Sequence, residues 1–121
     1  MKDERVDLRD RTKAFALGVV KLFGELPKGA VVQVLGRQLL RSGTSVGANY
    51  REAFRARSDA EFVAKVGDSL KELDETSYWL ELMRESELLP PDRMSLLEDE
   101  CNQLIAIFTS IAKKVKTRVR P

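Results

Sequence analysis

The sequence predicts an all-α protein, an antiparallel up-down-up-down four-helix bundle that forms a single domain over residues 1–121. Apolar residues recur every three or four positions along four segments, which is the spacing of an amphipathic helix. Proline, glycine or a capping serine stands at each break between the segments. Because the breaks are short, neighbouring helices are expected to run antiparallel.

The first two helices are bounded by a cap and a proline–glycine break. The first is predicted over about 7–25, where Asp7 suits the N-cap because its carboxylate can accept hydrogen bonds from free backbone amides. Pro27 and Gly29 end it. The second helix is predicted over about 31–57.

A capping box opens the third helix, predicted over about 59–88. Ser58 and Glu61 stand three residues apart, so each side chain can satisfy a backbone amide near the other residue. Pro91 then suits the first turn of the fourth helix, predicted over about 92–117, since proline lacks an amide that this turn leaves unused.

The composition is that of a soluble globular protein. Hydrophobic residues make up 43% of the chain and charged residues 33%. No apolar run approaches the roughly 18 residues of a transmembrane helix, and the charged N-terminus lacks the apolar segment of a signal peptide. We therefore expect a cytoplasmic protein with no membrane partner.

The chain lacks the residues on which most active sites depend. Histidine is absent and Cys101 is the single cysteine, which excludes a zinc site, a histidine-dependent triad and an internal disulfide. No glycine-rich phosphate loop occurs. Cys101 falls at a core position of the fourth helix and is expected to be an inert, buried thiol. We expect a non-enzymatic protein with no catalytic residues, no cofactor, no metal and no small-molecule substrate.

The second helix has two adjacent apolar stripes, which is more than one bundle core usually needs. One stripe is expected to face the core and to contribute Ser42 and Asn49 to a buried polar set that also includes Ser77 of the third helix. The other stripe carries Gly43, Gly47, Tyr50 and Phe54. Either both stripes serve one wide core, or the second stripe meets a neighbouring subunit through a close glycine contact and two aromatic anchors.

Trp79 points away from the predicted core stripe of the third helix. It either covers the end of a neighbouring helix or joins a subunit contact, where aromatic side chains are enriched. Together with the second stripe, it predicts a closed homo-oligomer, because a stripe that meets a different surface on the next subunit closes into a ring when the rotation allows it.

Charge is distributed unequally between the helices. Residues 31–57 hold five arginines against one glutamate, whereas residues 58–90 hold three basic against nine acidic residues. A third stripe of the second helix carries four arginines, which are Arg37, Arg41, Arg51 and Arg55. This stripe is a solvated face, a surface for nucleic-acid phosphates, or a set of partners for the third-helix acids of a neighbouring subunit.

The centre of the chain resembles a known family. The resemblance is strong from about Gln38 to Leu82 and extends to the flanking helices only in pattern. It rests on Arg41-Ser-Gly-Thr-Ser-Val-Gly-Ala-Asn-Tyr-Arg-Glu-Ala53, Ala56-Arg-Ser58, Glu61-Phe62, Lys65, Ser69-Leu-Lys-Glu-Leu-Asp-Glu-Thr76 and Tyr78-Trp-Leu-Glu-Leu82. These motifs are similar to those of the small bacterial four helix bundle proteins, also called 23S ribosomal RNA intervening-sequence proteins.

The resemblance implies a left-handed bundle that assembles as a homopentamer and has no known catalytic activity. Other branches of the family carry Ile and a small residue at Val46 and Gly47, and Ile-Ala-Glu-Gly at Tyr50-Arg-Glu-Ala53, so this chain is similar to one branch. The family also resembles the accessory proteins of diversity-generating retroelements, which are basic pentamers that bind a reverse transcriptase and nucleic acid. A reverse-transcriptase-like protein and RNA or DNA are therefore the implied partners besides the chain itself.

Two classes of function stay open on the sequence. The first is a nucleic-acid-binding or ribonucleoprotein accessory factor that uses the four arginines of the basic stripe. The second is a protein–protein interaction scaffold with no nucleic-acid role, in which those arginines pair with acidic residues of a neighbouring subunit. Salt dependence separates the two, since counterion release gives a steep slope only in the first.

Overall fold

The computed structural model describes residues 4–119 of the chain, with side chains described over residues 7–117. This part of the chain holds four long helices, one short 3₁₀ turn and no strand. The helices are α1 (Glu4–Gly24), α2 (Ala30–Phe54), α3 (Asp59–Glu85) and α4 (Ser95–Val119), and the 3₁₀ turn is Pro91–Arg93. The predicted all-α four-helix bundle is confirmed.

Two helices end earlier than the sequence predicted. The chain leaves α2 after Phe54 because Ser58 must become extended, with φ −151° and ψ 162°, before its side chain can accept the Glu61 amide at 3.1 Å. At the end of α3, Glu87 adopts a left-handed φ of 56°, and the Leu88 amide bonds back to the Met83 carbonyl at 3.4 Å. This is a Schellman closure, which ends the helix before Pro90-Pro91 can do so.

Contacts between successive helices show that residue numbers rise along one helix while they fall along its neighbour. Gly47 lies against Thr12 and Gly43 against Val19, so α1 and α2 run in opposite directions. Arg41 pairs with Glu75 of α3 at 3.2 Å, whereas Glu52, further along α2, pairs with Lys65 at 2.9 Å, nearer the start of α3. By the same reasoning, α2 and α3 are antiparallel to each other.

The core runs along the centre of the bundle and draws on all four helices. The Tyr50 ring packs edge-on against Phe108, with ring centroids 5.3 Å apart and both residues fully buried. Across the bundle, Arg11 and Glu100 form a half-buried ion pair at 2.6 Å that ties α1 to α4. The largest fully buried side chains are Tyr50, Phe108, Leu8, Leu39, Leu73, Leu80, Met83, Met94, Leu104, Val19, Val46 and Val66.

A line of glycines on α2 lets α1 approach closely. A Cβ atom built on Gly36 would lie 3.3 Å from Phe23 Cδ1, and one on Gly43 would lie 2.8 Å from Val19 Cγ2. One on Gly47 would lie 3.3 Å from Thr12 Oγ1. We call Gly36, Gly43 and Gly47 the glycine seam. Both apolar stripes of α2 therefore serve a single wide core, one against the bundle centre and the other against α1.

The buried polar set differs from the predicted one. Ser42 is fully buried, but Asn49 and Ser77 are only half-buried, which corrects their predicted place in the core. The reason is that the glycine seam draws α1 towards α2, so the buried arc of α2 is centred between its two apolar stripes and Asn49 is left at its edge. Ser77 lies at the mouth of a polar cleft between α3 and α4.

Two hydroxyl residues of α3 take the predicted places of Asn49 and Ser77. The Thr76 and Ser42 hydroxyl oxygens lie 2.9 Å apart, and both residues are fully buried. One turn further along α2 from Ser42, the Val46 carbonyl accepts a hydrogen bond from the Ser69 hydroxyl at 2.9 Å. Because these are cross-helix hydrogen bonds inside an apolar core, they fix the register of α2 against α3.

The glycine seam predicts that Gly43 tolerates no large side chain. Gly43→Leu should lower the free energy of unfolding by about 1–3 kcal/mol, since the new side chain would meet the β-branched Val19 at contact distance. The matched control is Gly67→Ala on α3, where nothing lies within 4 Å of the new Cβ. That change should raise stability by about 0.5–1 kcal/mol through helix propensity. Urea unfolding midpoints measure both, and equal effects at the two sites would contradict the seam.

The hydroxyl pair predicts an asymmetric mutational response. Thr76→Val should cost about 1–3 kcal/mol, because it leaves the buried Ser42 oxygen with only a 3.4 Å contact to the Leu39 carbonyl. Thr117→Val, at an exposed position of α4, is the control and should change stability by less than about 0.5 kcal/mol. Combining Ser42→Ala with Thr76→Val should recover part of the loss in thermal or urea unfolding. A double variant as unstable as the sum of its parts would argue against the pair.

Candidate nucleic-acid interface

The predicted basic stripe of α2 does not act as one unit. Arg41 lies 3.3 Å from Glu72 and 3.2 Å from Glu75, both on α3 of the same subunit. The hydrogen bond to Glu75 raises the pKa of the Arg41 guanidinium, while burial raises the pKa of the Glu72 carboxyl. Arg41 is thus an intrasubunit ion-pair partner, and its pairing with a neighbouring subunit stays a prediction.

The other three arginines of the stripe lie at two different places along the bundle. Arg37, Arg51 and Arg55 are exposed and form no ion pair within the described part of the chain. Arg37 precedes Arg51 by fourteen residues, which is about 21 Å along a helix at 1.5 Å per residue. Only Arg51 and Arg55 therefore belong to one local surface.

A groove between α1 and α2 brings Arg51 together with two cations of α1. Its volume is about 250 Å³, and its rims carry Arg9 and Lys13 on one side and Arg51 on the other. The remaining lining residues are Thr12, Ala16, Thr44, Gly47 and Ala48. The groove exists because the glycine seam continues to Gly47, where no side chain fills the space between the helices.

Arg9 is held in place by an aromatic ring. Its guanidinium carbon lies 5.0 Å from the centroid of Phe54, which is within the range of a cation–π contact. Phe54 is half-buried and packs on the core, so the contact anchors Arg9 from below. Arg9 and Lys13 were not predicted from the sequence, because the pattern of one helix does not show which other helix packs beside it. Their four-residue spacing on the side of α1 beside its core stripe was the available signal.

Packing polarises the charge of the whole bundle along its axis. Residues 7–14, 48–65 and 104–117 meet at one end and hold ten Lys and Arg against five Asp and Glu, a net charge of +5. Residues 15–47 and 66–103 form the opposite end and hold seven basic against twelve acidic residues, a net charge of −5. We call these the basic end and the acidic end. The near-neutral total charge of the chain conceals this separation.

Two of the residues predicted to form a subunit interface are buried inside the subunit instead, Gly43 in the glycine seam and Tyr50 against Phe108. A third, Gly47, belongs to the glycine seam but is half-buried and lines the α1–α2 groove. Gly43 and Tyr50 are therefore closed to a neighbour by the packing of their own subunit. Replacing Gly47 by a bulky residue should consequently act on the fold of the subunit.

The two other predicted interface residues are partly accessible. Phe54 is half-buried beneath Arg9. Trp79 is half-buried and packs on the core, and its ring centroid lies 5.2 Å from that of Tyr78. The Trp79 indole nitrogen is buried and finds no hydrogen-bond acceptor among the described residues.

Large apolar side chains are exposed elsewhere on the bundle. Val31, Val34 and Tyr78 are 63%, 59% and 54% exposed on the outer surfaces of α2 and α3. Leu17 and Val20 are 60% and 48% exposed on α1. Since scattered apolar residues are normal on a surface, the informative feature is that Val31 and Val34, like Leu17 and Val20, lie on adjacent turns of one helix.

The described residues offer little else for chemistry. Burial raises the pKa of the Cys101 thiol to about 12, which keeps it protonated and unreactive at neutral pH. Between residues 7 and 117, no three side chains of the types that bind metals converge on a common point. No helix within the described residues is both long and apolar enough to span a bilayer.

Comparison with known proteins identifies the family. The model of the 23S rRNA-intervening sequence protein family matches residues 4–110. A solved structure from Bacteroides thetaiotaomicron, a protein of unknown function from the S23 ribosomal protein family, is 35% identical with a TM-score of 0.84 and covers 92% of this chain and 99% of its own. No protein of curated function shows significant similarity. The chain belongs to the 23S rRNA-intervening sequence protein family.

Proposed function

We propose that this protein is a non-enzymatic, oligomeric accessory factor that binds nucleic acid through its basic end. The observation that carries the proposal is the α1–α2 groove, where Arg9, Lys13 and Arg51 converge without a carboxylate partner among the described side chains. Cations left without acidic partners attract phosphates and release the counterions condensed around them.

The unpaired cations of the basic end support this choice of surface. Glutamates pair with Arg11 and Lys65 at this end, but the three cations of the groove have no such partner among the described side chains. At the basic end, the lysines Lys113, Lys114 and Lys116 of α4 are exposed and add to the positive potential. A field of one sign over one end also steers a polyanion towards it.

The names of the relatives point in the same direction. The family is named for an intervening sequence of 23S rRNA, and the similar solved structure is assigned to a ribosomal protein family. Both names connect the fold with ribosomal RNA. RNA is therefore the first nucleic acid to test, with a protein bound to that RNA as a secondary partner.

The basic end predicts a specific pattern of weakened binding. Arg51→Ala with Arg55→Ala should reduce affinity for RNA and lower the salt slope by about two units, one for each lost phosphate contact. Arg37→Ala is the matched control, since it removes an exposed arginine of the same helix at the acidic end. Fluorescence anisotropy titrations between about 50 and 200 mM salt measure both. Equal losses in the two variants, or no binding at low salt, would refute the proposal.

Self-association is the second part of the proposal, and it concerns a different surface. The exposed Val31, Val34 and Tyr78 on α2 and α3 would meet the exposed Leu17 and Val20 on α1 of the next subunit. Such a head-to-tail contact closes into a ring when its rotation allows it. The resemblance to the family sets the expected number of subunits at five. This apolar surface is also what favours the alternative function, a scaffold for other proteins.

The exposed apolar residues Val31, Val34 and Tyr78 predict a variant that dissociates into single subunits. Val34→Glu should reduce the assembly to subunits of 13.7 kDa, because it would bury a carboxylate at an apolar contact. Ala106→Glu, on the exposed face of α4, adds the same charge elsewhere and should leave the mass unchanged. Light scattering at micromolar concentration gives the mass. A wild-type mass of one subunit would contradict the ring, and one of two or three subunits would contradict the number five.

A further inference from the structure

We propose that the nucleic acid bound at the basic end is double-stranded, and that the α1–α2 groove holds it by its phosphate backbones without reading or stacking on its bases. This inference rests on the proposed function, and it goes beyond it by naming the class of nucleic acid. Three features of the groove and its surroundings carry it.

The first feature is that no aromatic ring at the basic end is exposed for stacking. Within residues 7–117, Tyr50 and Phe108 are fully buried there, and Phe54 and Phe62 are half-buried against the core. One exposed aromatic residue, Tyr78, occurs in the described part of the chain, and it lies at the acidic end. Proteins that hold single strands depend on rings on which successive bases stack, so this surface does not suit a single strand.

The second feature is the floor of the groove, which offers no free hydrogen-bond donor to a base edge. Ala16, Gly47 and Ala48 contribute only methyl groups and backbone. The two hydroxyls are already committed, since Thr44 donates to the Leu40 carbonyl at 2.7 Å and Thr12 to the Arg9 carbonyl at 3.2 Å. Base readout needs such groups, whereas phosphate contacts need only cations on the rims.

The third feature is the arrangement of those cations in two rows. Arg9 and Lys13 on α1 are four residues apart, which is a rise of about 6 Å. Arg51 in the last turn of α2 and Arg55, which follows the end of that helix beside the groove, form the facing row. Packed helix axes lie about 8–10 Å apart, and the glycine seam allows an approach at the short end of that range. Two facing cation rows on neighbouring helices suit the two phosphate rows that border the narrow groove of a duplex, about 6 Å wide in B-DNA. A single strand supplies only one row.

The test compares a blunt duplex of about 25 base pairs, as RNA and as DNA, with an unstructured single strand of the same length. The full-length protein should bind the duplex at least tenfold more tightly, and scrambling the duplex sequence should leave affinity unchanged. Four phosphate contacts predict a salt slope of about −3.6 on duplex DNA, or roughly a 150-fold loss of affinity between 50 and 200 mM salt.

Lys13→Ala is the decisive variant, because it alters the groove on α1 at an exposed position. It should lower the duplex slope by about one unit, whereas Arg37→Ala should leave both affinity and slope unchanged. Circular dichroism confirms that both variants keep their helices. A duplex slope that Lys13→Ala does not alter would remove the groove from the interaction and overturn the inference.

The outcomes separate this inference from the proposed function. Tighter binding to the single strand, or a strong preference among duplex sequences, would overturn the duplex inference while nucleic-acid binding stands. If neither nucleic acid binds at low salt, both proposals fail. Tight duplex binding with a steep, sequence-independent slope supports both.

Discussion

The close approach of α1 to α2 is the constraint on which the rest of the structure depends. Three glycines of α2 present bare backbone to α1, at positions where a Cβ would lie 2.8 to 3.3 Å from Phe23, Val19 and Thr12. Because α1 lies so near, the middle of the second apolar stripe of α2 is buried, and Tyr50 reaches the core and meets Phe108. The same approach leaves the groove at the far end of the seam, with a rim of cations from each helix.

The antiparallel packing then converts a mixture of helix charges into two oppositely charged ends. α1 begins, α2 ends, α3 begins and α4 ends at the basic end, so basic segments from three helices add together there. Along α2 and α3, some of the charges are paired, such as Arg41 with Glu75 and Lys65 with Glu52. The cations around the groove have no such partner among the described residues.

Much of the fold follows from local rules, and most of the candidate site does not. The Ser58 cap and the four helices can be predicted because each depends on residues adjacent in sequence. A helical wheel, however, gives the direction in which Asn49 points from α2 without showing which helix lies in that direction. The glycine seam shifts α1 towards α2, and this changes how deeply Asn49 is buried. Thr76 and Ser69 entered the core for the same reason, since only the register between α2 and α3 puts them opposite Ser42 and Val46. Arg9 and Arg51 are 42 positions apart in the chain, and no single-helix pattern brings them to one groove.

The separation of charge between the two ends makes each subunit an electric dipole aligned with its long axis. In the field of a polyanion, such a dipole experiences a torque as well as a net attraction, so the molecule turns before it makes contact. The end that carries twelve carboxylates against seven cations is turned away, and a second phosphate backbone approaching that end is repelled. Under the proposed function, a subunit would therefore be monovalent towards nucleic acid and would bind one duplex without cross-linking it to another. Because the Debye length is about 8 Å at physiological salt, this selection of orientation acts at close approach, through the charges of the end nearest the polyanion.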